Sequence, residues 1–150
     1  MKLHYEILGQ GEPLIILHGL FGSAANWRSM AAHLANPAHP GLGRWQVILP
    51  DLRNHGASPH TPTHRYTDMV SDTLSLMDEL GLERAHILGH SLGGKAAMLL
   101  ASRAAERVQS LGVVDIAPRD YAPLHLDLFA VMHALPLKEM RSRAQAAEWM

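Results

Sequence analysis

Cysteine is absent from the 150-residue sequence, which excludes a fold held together by disulfide bonds. An excess of one charge is also lacking, because 13 Lys and Arg residues against 14 Asp and Glu residues give a formal net charge of −1. A protein that binds nucleic acid or an anionic membrane would carry excess positive charge. No apolar run approaches the ~18 residues of a membrane span, and no signal-peptide block follows Met1. These absences predict a cytoplasmic protein with no membrane span and no nucleic-acid partner.

Apolar residues make up 47% of the chain, which suits one soluble globular domain. At this length, folding removes roughly 70% of the unfolded chain's surface from water, so neither a metal nor a disulfide is needed for stability. The unusual feature of the composition is its eleven histidines. Because imidazoles gain charge below about pH 6, we expect solubility and stability to respond to acid.

Short apolar segments alternate with segments of helical periodicity. The predicted strands are residues 3–7, 14–17, 47–49, 85–88 and 108–114, and the predicted helices are residues 27–34, 66–80 and 92–104. This alternation predicts an α/β domain with a mostly parallel sheet and right-handed crossovers, which we assign to residues 1–118. From Pro118 onward no strand is predicted, and apolar stripes over 128–135 and 138–150 indicate that residues 119–150 are helical.

The strongest local motif is G-H-S-L-G-G at residues 89–94, where an apolar strand gives way to a helix. A G-x-S-x-G motif in this context places a serine in a tight, strained strand-to-helix turn, with its hydroxyl exposed at the carboxyl edge of the sheet. Gly89 and Gly93 are small enough for the strand and the helix to approach each other, and His90 lies between Gly89 and Ser91. The motif therefore predicts Ser91 as a catalytic nucleophile.

This segment fits two other interpretations. The first is an ordinary glycine-rich strand-to-helix turn whose serine has no function. The other is a phosphate-binding P-loop, because residues 89–95 match G-x-x-x-x-G-K. However, Ala96 stands where that motif requires the Ser or Thr that ligates Mg²⁺, so nucleotide binding is disfavoured.

A second glycine-flanked turn, H-G-L-F-G at residues 18–22, follows the second predicted strand. Because it lies at the same sheet edge as Ser91, one of its amides can face a substrate carbonyl. With Gly19 allowing the turn, we predict that the amides of Phe21 and Leu92 form an oxyanion hole. A simple turn with the Phe21 ring packed into the core is the alternative.

Asp115 directly follows the last predicted strand and is a candidate for orienting a catalytic histidine. Asp51, at another strand end, is a rival for that role. His55, His60 and His64 lie in one predicted loop, but no Cys and no helical i, i+4 pair supports a metal site. We therefore expect no metal and no other cofactor.

Three segments together resemble the YbfF-type bacterial esterases and their mitochondrial relatives in the α/β-hydrolase superfamily. They are D-L-R-N-H-G-A-S-P-H at 51–60, G-H-S-L-G-G-K at 89–95 and V-D-I-A-P at 114–118. The resemblance implies an α/β-hydrolase fold and serine-dependent hydrolysis of a small-molecule carboxylic ester or acyl thioester. It implies the same nucleophile, the same oxyanion-hole residues and Asp115 as the acid. It also implies that residues 119–150 begin a helical lid and that His55 and Gly56 shape a loop.

The general base of that family is a histidine that follows the last strand of the sheet. Here 35 residues follow Asp115, whereas each further parallel strand needs a crossover of at least ~10–12 residues in addition to a lid. We therefore expect the chain to be the N-terminal part of the hydrolase, with the C-terminal strands and the catalytic histidine missing and little activity on its own.

Two functions of other classes stay open at this point. One is a non-hydrolytic lyase that uses the same Ser91 site. The other is a non-catalytic interaction protein that keeps the fold without the triad. In addition, the apolar strand 108–114 has no predicted partner on its outer side, so we expect self-association through an exposed sheet edge.

Overall fold

The structure, a computed structural model, describes residues 1–38, 44–121, 126–136 and 139–149. The predicted loop over 36–44 and the predicted helix over 138–150 lie partly outside these ranges. The chain divides into two compact units, Met1–Pro118 and Arg119–Met150.

The first unit is built around a five-stranded sheet in the order β1-β3-β2-β4-β5. Its strands are β1 Tyr5–Gly9, β2 Glu12–Leu17, β3 Trp45–Pro50, β4 Ala85–His90 and β5 Val108–Val114. All pairings are parallel except the antiparallel pairing of β1 with β3. The predicted α/β class with a mostly parallel sheet is thereby confirmed.

Helices follow the strands on both faces of the sheet. They are the 3₁₀ helix Ala24–Asn26, α1 Arg28–Leu34, α2 Tyr66–Glu79, α3 Leu92–Arg103 and the 3₁₀ helix Ala105–Arg107. Gly81, two residues after the end of α2, has φ +66°, a left-handed conformation that glycine adopts without strain. In α3, small residues at 93, 94, 96 and 97 are buried, which lets the helix lie close to the sheet.

Two apolar clusters cover the two faces of the sheet because successive strand residues point to opposite sides. On one face, Ile15, Leu17 and Ile87 pack with the buried residues of α2 and α3. On the other, Ile16 and Val47 pack with residues of the first 3₁₀ helix and of α1. Burial on both faces explains why these strands are continuous apolar runs in the sequence.

β5 lies at one edge of the sheet, with only β4 beside it. Three of its apolar side chains are exposed: Leu111 by 39%, Val113 by 36% and Val114 by 39%. The apolar edge anticipated from the sequence is thus present among the described residues.

The second unit contains α4 Leu126–Ala134 and α5 Arg143–Trp149. The predicted helix over 138–150 is wrong at its start, since residues 139–142 are not helical and α5 begins at Arg143. None of the described helices is long and apolar enough to cross a membrane.

Candidate active site

Ser91 occupies a sharp turn between β4 and α3, with φ +50° and ψ −113°. The surroundings of the turn leave no room for larger neighbours. A Cβ on Gly89 would lie 2.4 Å from the Gly93 carbonyl oxygen, and one on Gly93 would lie 2.3 Å from the Leu17 carbonyl oxygen. The strand and the helix therefore hold Ser91 in its strained conformation through direct backbone packing.

Positive φ angles outside glycine occur in the described residues at Phe21 (60°), Asn54 (65°), Ser91 (50°) and Asp115 (57°). Such angles are uncommon for residues with a side chain and persist only where the surrounding structure imposes them. Three of these four residues are ones that the sequence analysis singled out for catalysis. Backbone strain thus occurs at three residues that are predicted to act in catalysis.

Asp115 reaches the same sheet edge as Ser91 through the parallel pairing of β4 and β5. His90 is in register with Val114, and the Ser91 amide donates to the Val114 carbonyl oxygen at 3.0 Å. The Asp115 side chain is 85% exposed, and its Oδ2 lies 3.9 Å from Nε2 of His90. The carboxylate is therefore next to the turn that carries Ser91 and open to a further partner.

The turn at residues 19–22 lies against the turn that carries Ser91. It is closed by a hydrogen bond from the Gly22 amide to the Gly19 carbonyl oxygen at 3.0 Å, and positive φ at Phe21 is typical of the third position of a type II turn. A Cβ on Gly19 would lie 3.4 Å from Cβ of Ser91 and 2.8 Å from Nδ1 of His90. Glycine at this position therefore keeps the space beside Ser91 open.

The Phe21 amide does not face this space as an open donor. It donates to Nε2 of His55 at 3.2 Å, so the oxyanion-hole role predicted for it conflicts with a contact that it already makes. The Phe21 ring is 54% exposed, which also rules out the alternative that it packs into the core.

No hydrogen bond of the Leu20 or Leu92 amide occurs within the described part of the chain. Leu92 is the first residue of α3, where amides have no intrahelical partner.

Two histidines that the sequence analysis left without a catalytic role hold this turn in place. The buried His18 ring lies 2.8 Å from the Gly19 carbonyl oxygen through Nδ1 and accepts the Leu52 amide through Nε2 at 2.9 Å. His55 joins Phe21 to the Arg53 carbonyl oxygen, 2.9 Å from its Nδ1. In the sequence, the only sign of the His18 role is its position between an apolar strand and a glycine. The His55 role leaves no such sign, because its contact joins residues 34 positions apart in the chain.

Both rings act as neutral imidazoles, because in each of them Nε2 accepts a hydrogen bond from a backbone amide. Burial lowers the pKa of His18 below its usual value. The hydrogen bond to the Gly19 carbonyl opposes this shift without cancelling it. The neutral state on which the contacts depend is therefore the favoured state of His18.

Asp51, the rival of Asp115, has its oxygens committed elsewhere. It is 4% exposed and accepts the amides of Ala24 at 2.7 Å and Ala57 at 2.9 Å, while Nδ1 of His4 lies 3.0 Å away. Burial alone would raise the pKa of Asp51, but these hydrogen bonds outweigh it and hold the pKa below its usual value. Asp51 therefore organises the loops around the site and is not open to a catalytic histidine.

The loop that carries His55 is anchored to α2 by Arg53. The guanidinium of Arg53 donates to Oδ2 of the buried Asp72 at 2.7 Å and to the Thr63 hydroxyl at 2.8 Å. Asp72 also binds the Met1 ammonium group through Oδ1 at 2.8 Å, and Arg53 lies 3.1 Å from Oδ2 of Asp68, so the pair belongs to a larger network of charges. The anchor fixes the loop, and through His55 it fixes the turn beside Ser91.

A cavity of about 580 Å³ opens beside the turn. Its walls are the 19–22 turn, Trp27 and Met30 near the start of α1, and His90 next to Ser91, together with Asn26 and Ser29. Met30 adjoins the buried Ala31 in α1, but Met30 is 49% exposed and lines this cavity.

No hydrogen bond to the Ser91 hydroxyl occurs among the described residues, and so none of their histidines is positioned as its base. The same residues contain no cluster of three or more side chains that could hold a metal ion.

Comparison with known proteins gives one consistent family. The sequence pattern of the alpha/beta hydrolase fold matches residues 12–148. The esterase YbfF of Escherichia coli is 37% identical over 139 residues, which cover 92% of this chain and 52% of the relative. The sn-1-specific diacylglycerol lipase ABHD11 of Mus musculus is 42% identical over 151 residues, covering 97% of this chain and 48% of that protein. The chain thus spans about half the length of these curated relatives.

A solved structure titled as a marine microorganism esterase superimposes with a TM-score of 0.90 at 36% identity. The match covers 99% of this chain and 57% of that structure. The family resemblance inferred from the three sequence segments is therefore confirmed.

Proposed function

The chain belongs to the alpha/beta hydrolase family, and on that premise we propose that it carries the nucleophile, the oxyanion hole and the acid of a serine hydrolase. The substrate is a carboxylic ester or an acyl thioester. The observation that carries the proposal is the strained backbone of Ser91 at the β4–α3 turn, enclosed by Gly89 and Gly93. The relatives named as an esterase and as a lipase support the reaction class.

In the proposed reaction, the Ser91 hydroxyl attacks the carbonyl carbon of the substrate and loses its proton to a histidine. The resulting tetrahedral intermediate collapses, the histidine returns the proton to the leaving alcohol or thiol, and an acyl-serine remains. Water, deprotonated by the same histidine, then releases the carboxylic acid and regenerates the Ser91 hydroxyl. The same acyl-serine route applies whether the leaving group is an alcohol or a thiol.

For the oxyanion hole we assign the amides of Leu92 and Leu20. Leu92 begins α3, so its amide is open and the partial positive charge of the helix start favours an anion there. In the adjoining turn the Gly19 carbonyl points inward to the Gly22 amide, and across a trans peptide the Leu20 N–H points the opposite way, out of the turn. The original candidate, Phe21, serves in this scheme by fixing the turn through His55. Each donor to the oxyanion contributes roughly 3 kcal/mol of transition-state stabilisation.

Asp115 is the proposed acid, because its exposed carboxylate follows β5 at the nucleophile's edge of the sheet. It would accept the Nδ1 proton of the catalytic histidine and stabilise the imidazolium. We place that histidine in a segment beyond the described residues. The relatives are about twice as long as this chain, which leaves room for such a segment. The lid role of residues 119–150 and the cytoplasmic location belong to the same proposal.

The test is covalent labelling of the full-length protein by a fluorophosphonate, read by intact mass and peptide mapping. We expect one adduct, on Ser91, and expect Ser91→Ala to lose both the adduct and short-chain ester hydrolysis. Ser71→Ala is the matched control, because Ser71 is an exposed serine on α2 that bonds only to its own helix. Unchanged turnover in Ser91→Ala would reject the proposal, and an inert Ser91 would favour a non-catalytic interaction protein. Products from a C–C substrate without ester hydrolysis would favour the lyase.

A further inference from the structure

His55 contacts the 19–22 turn from a loop that is itself firmly held. The residue is buried, with 8% of its surface exposed. Its amide donates to the Leu52 carbonyl oxygen at 3.0 Å, and its carbonyl oxygen accepts the Ser58 amide at 3.1 Å. Arg53 ties the same loop to α2. The His55 ring therefore has a fixed position from which it acts on the turn.

The two ring nitrogens of His55 have different and defined roles. Nε2 lies 3.2 Å from the Phe21 nitrogen, which carries the proton of this bond, so Nε2 is the acceptor. In a neutral imidazole the other nitrogen then carries the ring proton, and Nδ1 donates to the Arg53 carbonyl oxygen at 2.9 Å. Only the uncharged ring satisfies both contacts. A proton on Nε2 would turn the acceptor into a donor, and two N–H groups would face each other.

The turn carries backbone strain at the point where His55 contacts it. Phe21 has φ +60°, and the turn is closed by the hydrogen bond from the Gly22 amide to the Gly19 carbonyl oxygen. Such an angle persists only where the surrounding contacts impose it. When Nε2 of His55 no longer accepts, we expect the Phe21 peptide to leave this conformation. The Leu20 amide, which is assigned to the oxyanion hole, belongs to the adjacent peptide and would move with it.

The titratable and charged groups around the His55 ring come from three parts of the chain. The His18 ring, after β2, has its centroid 5.0 Å from that of His55, and the His64 ring, before α2, lies at 5.4 Å. Asp51 and Arg53 belong to the loop of His55 itself, and their charged groups are engaged in the contacts described above. Burial lowers the pKa of His18 and the pKa of His64, so both rings stay uncharged further into the acid range than an ordinary histidine.

We propose that His55 is a positioning residue for the hydrolase reaction and that its charge state controls the 19–22 turn. The uncharged ring holds the Phe21 peptide so that the Leu20 amide faces the oxyanion at Ser91, and the protonated ring releases the turn while the sheet stays folded. The inference rests on the proposed function, because an oxyanion forms only if Ser91 attacks a carbonyl group. It adds that acid lowers turnover through a residue that does not touch the substrate.

His55→Gln separates the hydrogen bond from the charge. Oε1 of glutamine can accept the Phe21 amide, but this side chain gains no proton between about pH 5 and about pH 8, where histidines ordinarily change charge. In the full-length protein at about pH 8, His55→Gln should keep kcat for a short-chain ester within about threefold of the wild type. His55→Ala should lower kcat about tenfold or more and change KM by less than about threefold, because a displaced donor affects the transition state more than substrate binding.

The acid dependence is measured as the ratio of the wild-type to the His55→Gln rate of fluorophosphonate labelling at each pH. Protonation of the proposed catalytic histidine slows both proteins alike and cancels in this ratio. The ratio should be near one at about pH 8 and fall about fivefold or more by about pH 5. His60→Gln, at an exposed position of the same loop, is the matched control and should follow the wild type. A constant ratio, wild-type kcat in His55→Ala, or equal kcat in His55→Gln and His55→Ala would overturn the proposal.

Hydrogen exchange in the 150-residue chain gives a readout that does not depend on activity. The Ile48 amide, in a buried strand, reports opening of the whole fold. Between about pH 8 and about pH 5, the protection factor of the Phe21 amide should fall about tenfold more than that of Ile48. This excess loss should be absent in His55→Gln. A parallel loss at the two amides in the wild type would overturn the release of the turn from a folded chain.

The positioning role and the hydrolase function fail in different measurements. An unlabelled Ser91 in a protein whose Phe21 amide shows the excess loss would reject the hydrolase function, and the acid response of the turn would stand. A labelled Ser91 with a constant rate ratio would reject the role of His55, and the hydrolase function would stand.

Discussion

The backbone amide of Phe21 donates a hydrogen bond to Nε2 of His55, with 3.2 Å between the two nitrogens. His55 is buried, and its other ring nitrogen lies 2.9 Å from the Arg53 carbonyl oxygen. One imidazole thus joins the turn beside Ser91 to the loop that begins after β3. This contact gives the turn a fixed orientation that the hydrogen bond within the turn alone would not supply.

Replacing His55 by Ala is therefore expected to lower the free energy of unfolding. The substitution removes the ring that contacts the Phe21 amide and the Arg53 carbonyl oxygen, and the loss of these contacts costs about 1–3 kcal/mol. Urea unfolding at neutral pH measures this loss. His60→Ala, at an exposed position of the same loop, is the matched control and should change stability by less than about 0.5 kcal/mol. Equal effects of the two substitutions would contradict the role of the His55 contact.

Asp51 predicts an acid dependence of stability. The pKa of its carboxyl is lower in the folded chain than in the unfolded one, so the folded state favours the ionised form. The corresponding stabilisation is complete above the unfolded value of about 3.9 and is lost as pH falls through the lower folded value. Unfolding free energies measured from neutral pH down to about pH 3 should therefore fall less steeply in Asp51→Asn. An equal slope in Asp51→Asn and in the wild-type protein would contradict this prediction.

His18 predicts a further loss of stability on acidification, and this loss begins at a higher pH than the loss due to Asp51. Since the folded pKa of His18 is lowered, the unfolded chain binds its proton first as pH falls below about 6.5. Stability that is present above this pH is then lost until pH passes the folded value. Imidazole ¹⁵N shifts should show a neutral His18 in the folded protein at pH values where the unfolded chain is protonated. A His18 ring that gains its proton at the same pH in both states would refute this prediction.

The order of strands and helices was predictable because both faces of the sheet are covered. The later residues of β2 and β3 are buried on both faces of the sheet, which makes them continuous apolar runs, and α2 carries its apolar residues at helical spacing. The antiparallel pairing of β1 with β3 was not predictable, since it depends on a partner some 40 residues away in the chain. The burial of Asp51 and the exposure of Asp115 were likewise beyond sequence patterns, because both residues follow apolar strands.

The candidate site was predictable where backbone packing determines it and not where long-range hydrogen bonds do. Gly89 and Gly93 flank Ser91 because a Cβ at either position would strike backbone atoms, and a motif records that requirement. The pairing of the Phe21 amide leaves no such trace, since any residue except proline has an amide. Met30 fits the apolar spacing of α1, yet it borders a cavity, and spacing does not separate these two environments.

The edge strand β5 predicts association of the 150-residue chain with itself. Its outer backbone groups have no strand partner within the sheet, and Leu111 is 39% exposed. Light scattering coupled to size exclusion should show a mass that rises with protein concentration. Leu111→Lys should shift the protein toward monomer, because a charge on an edge strand opposes pairing, whereas Tyr66→Lys on the exposed surface of α2 should not. A monomer at every concentration would refute this prediction.

Gly19 and Gly93 offer a paired test of which glycine serves folding and which serves the site. A Cβ on Gly93 would lie 2.3 Å and 2.6 Å from the carbonyl oxygens of Leu17 and His18, which the sheet holds in place. Gly93→Ala is therefore expected to cost about 1–3 kcal/mol of stability, as overpacked cores do. A Cβ on Gly19 would meet the His90 ring at 2.8 Å, and this ring can rotate away.

Gly19→Ala should consequently cost less than about 1 kcal/mol in urea unfolding, within the range of mild substitutions. Its methyl group would nevertheless lie in van der Waals contact with Ser91 Cβ, in the space where the substrate carbonyl is proposed to bind. Fluorophosphonate labelling of Ser91 in the full-length protein should therefore slow by roughly tenfold or more, since small displacements at a reacting centre cost large factors in rate. Labelling at the wild-type rate in a folded Gly19→Ala protein would place the reacting carbonyl elsewhere, because the methyl group would then not obstruct it.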